Sequence, residues 1–327
     1  SSGAYAGWGL FFRVENMTDQ KPDRIIDVPG NPRPDGARIV WFEGVGGRKL
    51  RACLSPATVE TPRGTCIVCP GRTEFIEKYF QVARELQAKG FAVLIIDWPG
   101  QGLSERLLDD PQKGHIDRFE TFMGALSNGL AAFEELPRPY VSLAHSMGGA
   151  IAMAAIGQKL VDVKAAAFCA PMWGLPLGRT QRYFIWAMRV MGRSNDFAMK
   201  PGPPEKFEDN IVTHDEPYWQ LNRDLTDKAP ELSLGPVTWG WLGASLDIFN
   251  NISKPSVLQS IDIPVFIASA ADEKLVDNKS HEHVAAYLPN CEHVTIDNAM
   301  HEILMEKPDK RAEFWAGFDR MLERAGI

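Results

Sequence analysis

The 327-residue chain has no run of about 18 apolar residues, so no membrane-spanning helix is expected. It has no excess of positive charge either. The formal net charge is -7 and the sequence pI about 5.6, a balance that disfavours nucleic acid and anionic membrane surfaces as electrostatic partners. Cysteine is scarce. Five residues (Cys53, Cys66, Cys69, Cys169 and Cys291) form an odd set without framework spacing, which points to a reducing compartment and a cytoplasmic location. Cys66 and Cys69 do form a C-x-x-C, but "GTCIVCPG" reads as a buried strand whose residues three apart face opposite ways, so small buried hydrophobes are expected rather than a redox or zinc pair. No fixed-period repeat and no low-complexity tail occurs.

What is present suits a large globular α/β body: 45% hydrophobic and 24% charged residues, enough to build a sizeable core. The first 17 residues, "SSGAYAGWGLFFRVENM", lack a basic start and a cleavage site, so they read as an apolar segment docked on the body or touching a lipid surface, not as a secretory signal. "RIVWFEG" and "RKLRACLSPA" predict a hairpin turned at Gly46–Gly47. From residue 64 strands alternate with helices. "FAVLIIDW" (91–98) is nearly all apolar, as a central parallel strand covered on both faces should be. The alternation predicts a mostly parallel sheet with helices on both sides. It breaks between about 173 and 250, a Pro- and Gly-rich stretch holding five of the nine tryptophans, which reads as a helical lid inserted between two strands. The expected organisation is an N-terminal extension (1–37), a first core half (38–172), the cap (173–250) and a second core half (251–327).

"AHSMGGA" (144–150) follows a predicted strand and opens a predicted helix. A small-x-Ser-x-Gly turn in that setting lifts the serine oxygen above the carboxyl edge of the sheet, and the crowded backbone needs small residues on either side. Ser146 is therefore the candidate nucleophile. Its partners should follow in the order acid, then histidine. Asp272 in "SAADEKLVD" lies just past a strand and is the expected acid, whereas Asp277 reads as a helix start. Of seven histidines, His301 in "NAMHEILME" has the right order and a loop setting, so it is the expected base. His115 and His214 precede the acid, His293 lies in a strand pattern, and His145 belongs to the serine turn. His281 and His283, two apart on a helix, face different ways and make a poor metal pair. The oxyanion donors should be the backbone N–H groups of Met147 and of Arg72 in "PGRTEF". The Arg72 guanidinium is expected to pair with Glu74 or Glu77. Trp173, Trp186 and Trp241 are candidate walls of an acyl channel.

These motifs resemble the α/β-hydrolase superfamily, and more narrowly its lysophospholipase and monoacylglycerol lipase group. The resemblance rests on "CPGRTEFIEKY", "DWPGQGLSE", "AHSMGG", "SAADEKLVD" and "HEILME" and covers most of residues 38–325 outside the cap. It implies an eight-stranded sheet and a serine ester hydrolase. On that reading Ser146 is the nucleophile, Asp272 the acid, His301 the base, and Arg72 and Met147 the oxyanion donors. No cofactor or metal is implied. The implied substrate is a small ester with an acyl chain, such as a monoacylglycerol or lysophospholipid; a thioesterase or aminopeptidase would use the same groups, and a non-catalytic binding protein would keep the fold without them. The family usually has glycine where Ala144 stands and often arginine where Pro99 stands.

Overall fold

Strands β1 (Arg38–Glu43) and β2 (Lys49–Ser55) pair antiparallel, and the turn between them runs through Gly46 and Gly47, both at positive φ as a tight reversal requires. The computed structural model describes residues 24–200, 202 and 206–327, so the apolar N-terminal stretch lies outside the described residues. Six more strands follow: β3 (Gly64–Cys69), β4 (Phe91–Ile96), β5 (Tyr140–His145), β6 (Ala165–Cys169), β7 (Val265–Ala270) and β8 (Cys291–Ile296). They join into one sheet in the order β1-β2-β4-β3-β5-β6-β7-β8, with β3 to β8 parallel throughout. This is the eight-stranded, mostly parallel sheet that the resemblance implies.

Helices cover both faces. On one, α1 (Phe80–Ala88) and α9 (Pro308–Ala325) bury Phe80, Leu86, Phe314 and Phe318 against Cys66, Val93 and Val141. On the other lie α2 (Glu120–Ala132) and α3 (Met147–Gly157), whose Phe122, Leu126 and Ile151 pack with Cys69, Leu94 and Ile96. Cys66 and Cys69 thus sit in opposite cores, as strand alternation requires, and all five cysteines are free thiols. Every residue of β4 is buried, which explains its unbroken apolar sequence.

Between β6 and β7 the chain forms α4 (Arg179–Val190), α5 (Glu216–Lys228), α6 (Trp239–Ile252) and the short α7 (Pro255–Leu258). The helix α8 (Asn278–Tyr287) then connects β7 to β8, capped by the Asp277 carboxylate, which accepts from Lys279 N at 3.1 Å. Trp241, Ile248 and Phe249 of α6 join the core that α3 helps to form, so the insertion is anchored beside that helix. The chain runs from β3 out to β4 and then back to β5 on the other side of β3. The loops after β3 and β5 therefore diverge at one point of the carboxyl edge, where open α/β sheets place their ligands.

Candidate active site

At that point β5 ends and α3 begins, with Ser146 alone between them. Its backbone has φ 49° and ψ -119°, a conformation that costs a non-glycine residue about 1–3 kcal/mol and survives only where the surroundings fix it. Here they do. Ser146 N donates to Cys169 O at 3.2 Å, and Ser146 O accepts from Gly149 N and Met172 N, each at 2.8 Å. Small neighbours are obligatory: a Cβ at Gly148 would lie 2.0 Å from the Cys69 carbonyl oxygen, and one at Gly71 would lie 3.2 Å from Ser146 Cβ. Alanine at 144 is tolerated because that residue is an ordinary buried member of β5.

The Ser146 hydroxyl donates to His301 Nε2 at 2.9 Å. His301 sits in the loop between β8 and α9, and its Nδ1 donates to a carboxylate at 2.7 Å. That carboxylate belongs to Glu273. The expectation for Asp272 is corrected here, and the reason is geometric. Asp272 N donates to Ala299 O at 2.9 Å, which fixes its peptide against the histidine loop and turns its side chain outward, 48% exposed and 3.9 Å from His214 Nε2. The next residue faces inward, and the Glu273 side chain is 2% exposed. Its Oε2 meets His301, while Oε1 accepts from Leu275 N at 2.7 Å and Val276 N at 3.2 Å. Burial pushes the Glu273 carboxyl upward, but the hydrogen bond and charge of His301 and the two amides outweigh it, leaving it below the ordinary carboxylate range. A charged carboxylate on Nδ1 fixes the tautomer that leaves Nε2 free to accept a proton.

The other histidines have different work. His145 stacks on His301 with ring centroids 4.8 Å apart, and its Nδ1 donates to Cys169 O at 3.0 Å. Burial lowers its pKa against the raising effect of Glu74, so a neutral ring lies beside His301 at neutral pH. His281 Nε2 donates to Pro171 O at 2.6 Å, and burial takes its pKa down to about 4. His283 faces Ser253 O instead. Among the described residues no group of three or more His, Cys, Asp or Glu could hold a metal ion.

The loop after β3 is held rigidly. Gly71 N donates to the Glu74 carboxylate, Gly71 O accepts from Gln101 Nε2 at 3.0 Å, and Thr73 N donates to Gln101 Oε1 at 3.2 Å. The amide of Arg72, between them, has no acceptor among the described residues. Nor does that of Met147, the first residue of α3, whose N–H has no intrahelical partner by construction. Beneath the loop, Arg51 of β2 forms 2.7 Å ion pairs with Glu77 and Asp97, all three side chains fully buried. Glu74 is taken by Lys78 at 2.9 Å and by the Tyr79 hydroxyl at 2.5 Å; burial opposes its ionisation, but the charge of Lys78 and these hydrogen bonds hold its pKa down to about 2. Neither Glu74 nor Glu77 is therefore open to the Arg72 guanidinium, contrary to expectation. It reaches the insertion instead, donating to Gly235 O at 2.5 Å and lying 5.6 Å over the Trp241 ring.

The three tryptophans separate. Trp241 is buried on α6 beside Arg72. Trp173 belongs to the core rather than to a channel wall: its ring packs on Phe168 and His281, and Nε1 donates to Gly149 O at 3.1 Å. Trp186 is 55% exposed on the outer side of α4, stacked on Tyr183. Burial in a lid and exposure on it look alike in composition, and no sequence signal separated these three.

A strained serine on a strand–helix corner of a doubly covered, mostly parallel sheet, hydrogen-bonded to a histidine that carries a carboxylate, defines an α/β hydrolase. Residues 60–308 match the family described as serine aminopeptidase, S33, and the chain belongs to that family. It is 30% identical over 256 residues to a probable lysophospholipase L2 of Haemophilus influenzae, covering 76% of this chain and 80% of that protein. With lysophospholipase L2 of Escherichia coli K12 it shares 32% over 268 residues, 75% of this chain and 76% of the relative. Among solved structures, a soluble variant of monoglyceride lipase from Saccharomyces cerevisiae superposes with a TM-score of 0.69 at 16% identity, over 88% of this chain and 96% of that one. The protein is a carboxylic ester hydrolase, similar to the proteins named lysophospholipase L2.

Proposed function

We propose that Ser146, His301 and Glu273 form a catalytic triad that cleaves single-chain acyl esters, lysophospholipids or monoacylglycerols, through an acyl-enzyme. His301 takes the Ser146 proton as the oxygen attacks the ester carbonyl, then returns it to the leaving alcohol. The Arg72 and Met147 amides receive the oxyanion, aided by the positive end of the α3 dipole. Water activated by the same imidazole releases the fatty acid. The observation that carries this reading is the unbroken hydrogen-bond chain from Ser146 Oγ through His301 to Glu273. A hydrolysis panel of p-nitrophenyl esters, monoacylglycerols, lysophospholipids, acyl-CoAs and amino-acid amides tests it. Esters with a long acyl chain should be cleaved fastest, and preference for acyl-CoAs or amides would move a thioesterase or aminopeptidase ahead.

Residues 173–250 act as the cap, and five unpaired cysteines support a reducing, cytoplasmic setting. Ser146 is only 8% exposed, which suits a site entered beneath such a cap. Trp241 is the acyl-channel candidate among the three tryptophans. Each further CH₂ buried contributes ~0.8 kcal/mol, or roughly fourfold in affinity. kcat/KM should therefore climb from acetyl to at least mid-length chains, and Trp241→Ala should flatten that slope. Trp186 lies with Tyr183, Phe184, Val190 and Met191 in an exposed apolar strip, which suits brief contact with the lipid aggregate that holds the substrate. Trp186→Ala should slow turnover of micellar substrate and leave soluble short esters untouched. Equal losses at every chain length in both variants would remove the channel from the account.

Activity should rise with pH through one ionisation. Only a neutral imidazole accepts the serine proton, and Glu273, held below the ordinary carboxylate range, is already charged across the neutral region. The acid limb of log kcat/KM, measured with an ester whose chemistry limits the rate, should have a slope of one. A flat profile from mildly acidic to alkaline pH would contradict His301 as base.

A further inference from the structure

Buried cations in this protein are paired with carboxylates. Arg51 has Glu77 and Asp97, Lys78 has Glu74 and Glu302, and Arg311 has Glu85. Arg72, half-buried on the loop after β3, has no carboxylate partner among the described residues. Its Nη2 donates to the Gly235 carbonyl oxygen, Nε is shut off from solvent with no acceptor, and Nη1 has none among the described residues. The nearest aromatic face, Trp241, supplies only its ring quadrupole. Desolvation lowers the guanidinium pKa to about 10, so it still carries its full charge at neutral pH.

The placement gives this charge a use. Residue 72 sits on the loop that touches Ser146, and its side chain spans from that loop to the cap at Gly235 and Trp241. Gly114, in the loop between β4 and α2, lets the guanidinium lie close: a Cβ there would be 2.4 Å from Arg72 Nη2 and 2.9 Å from the Leu234 side chain of the cap. A guanidinium with no carboxylate among the described residues favours a ligand that brings its own negative charge, and its planar fork of N–H donors matches phosphate oxygens.

We propose that the Arg72 side chain binds the phosphodiester of a lysophospholipid and thereby selects it over a neutral monoacylglycerol of equal chain length. This rests on the ester-hydrolase reading above and adds the headgroup to it. The backbone amide of the same residue serves the oxyanion, so one residue registers headgroup and ester together. The guanidinium makes its contact in the ground state and keeps it through acyl transfer, and it gives or takes no proton.

The test compares a lysophospholipid and a monoacylglycerol of the same acyl chain, in the same mixed micelles, for wild type, Arg72→Gln and Arg72→Lys. A charge-assisted hydrogen bond to phosphate corresponds to a loss on the order of tenfold to a hundredfold when removed. The ratio of kcat/KM for lysophospholipid over monoacylglycerol should fall by about that factor in Arg72→Gln and by less in Arg72→Lys. Glycerol 3-phosphate should inhibit the wild type more strongly than glycerol does, and that difference should vanish in Arg72→Gln. Equal losses on both substrates would mean that Arg72 is only a latch to the cap, and would overturn the proposal. A wild type that cleaves monoacylglycerol but not lysophospholipid would overturn it too, while leaving the ester-hydrolase reading in place. Failure to cleave either lipid or any simple ester would remove that reading and this inference with it.

Discussion

Ser146→Ala is expected to lower kcat for ester hydrolysis on the order of 10⁶-fold while leaving thermal unfolding intact. The size follows from what the hydroxyl does in the site. In the proposed mechanism it is the atom that bonds to the acyl group, and His301 Nε2, 2.9 Å away, has no other serine, threonine or cysteine to deprotonate among its described hydrogen-bond partners. The fold should survive because the Ser146 side chain caps nothing, and the backbone bonds that hold the corner come from Cys169, Gly149 and Met172. Steady-state kinetics alongside a thermal melt checks this. Folded protein with turnover within tenfold of wild type would remove Ser146 from the mechanism.

The second large effect separates two adjacent carboxylates. Glu273→Gln keeps the shape of the side chain but can offer its amide N–H to His301 Nδ1, which favours the tautomer with a proton on Nε2. The imidazole then cannot accept the serine proton, and a loss of roughly 10⁴-fold in kcat is expected. Asp272→Asn should cost far less, because that side chain points to solvent near His214. The ranking is the informative part, and reversal would return the acid to Asp272. His214 offers a further check, since its Nδ1 lies 2.9 Å from Glu306, which also accepts from Met300 N next to His301. A modest effect of Asp272→Asn would be explained by that neighbouring cluster.

Glu273 also marks where reading the sequence stops. The hairpin, the all-apolar β4 and the corner at Ser146 were legible because each is fixed by local chemistry: a Gly-Gly turn, burial on both faces, a crowded backbone that admits only small neighbours. The pairing of His301 with Ser146 was legible because chain order and loop position leave few rivals. The carboxylate on His301 needed more. "ADE" places two carboxylates side by side just past β7, and which one faces inward depends on where the strand ends and on the bond from Asp272 N to Ala299 O, a partner 27 residues away. The fate of the Arg72 guanidinium was hidden for the same reason. Glu74 and Glu77 are near it in sequence, but Lys78, Tyr79 and Arg51 hold them, and Arg51 comes from a strand 21 residues earlier. The tryptophans of the insertion followed no period at all, so only packing divides Trp241, against Arg72, from Trp186, facing solvent, and Trp173, in the core.

The central claim is that Ser146 is an activated nucleophile, and covalent labelling with a fluorophosphonate tests it most directly. Intact-mass spectra of the wild type should show one adduct per chain, and peptide mapping should place it on Ser146. Labelling should slow sharply in His301→Ala and Glu273→Gln and proceed at close to the wild-type rate in Asp272→Asn. An adduct on another residue, or folded wild-type protein that takes up no label, would contradict the account.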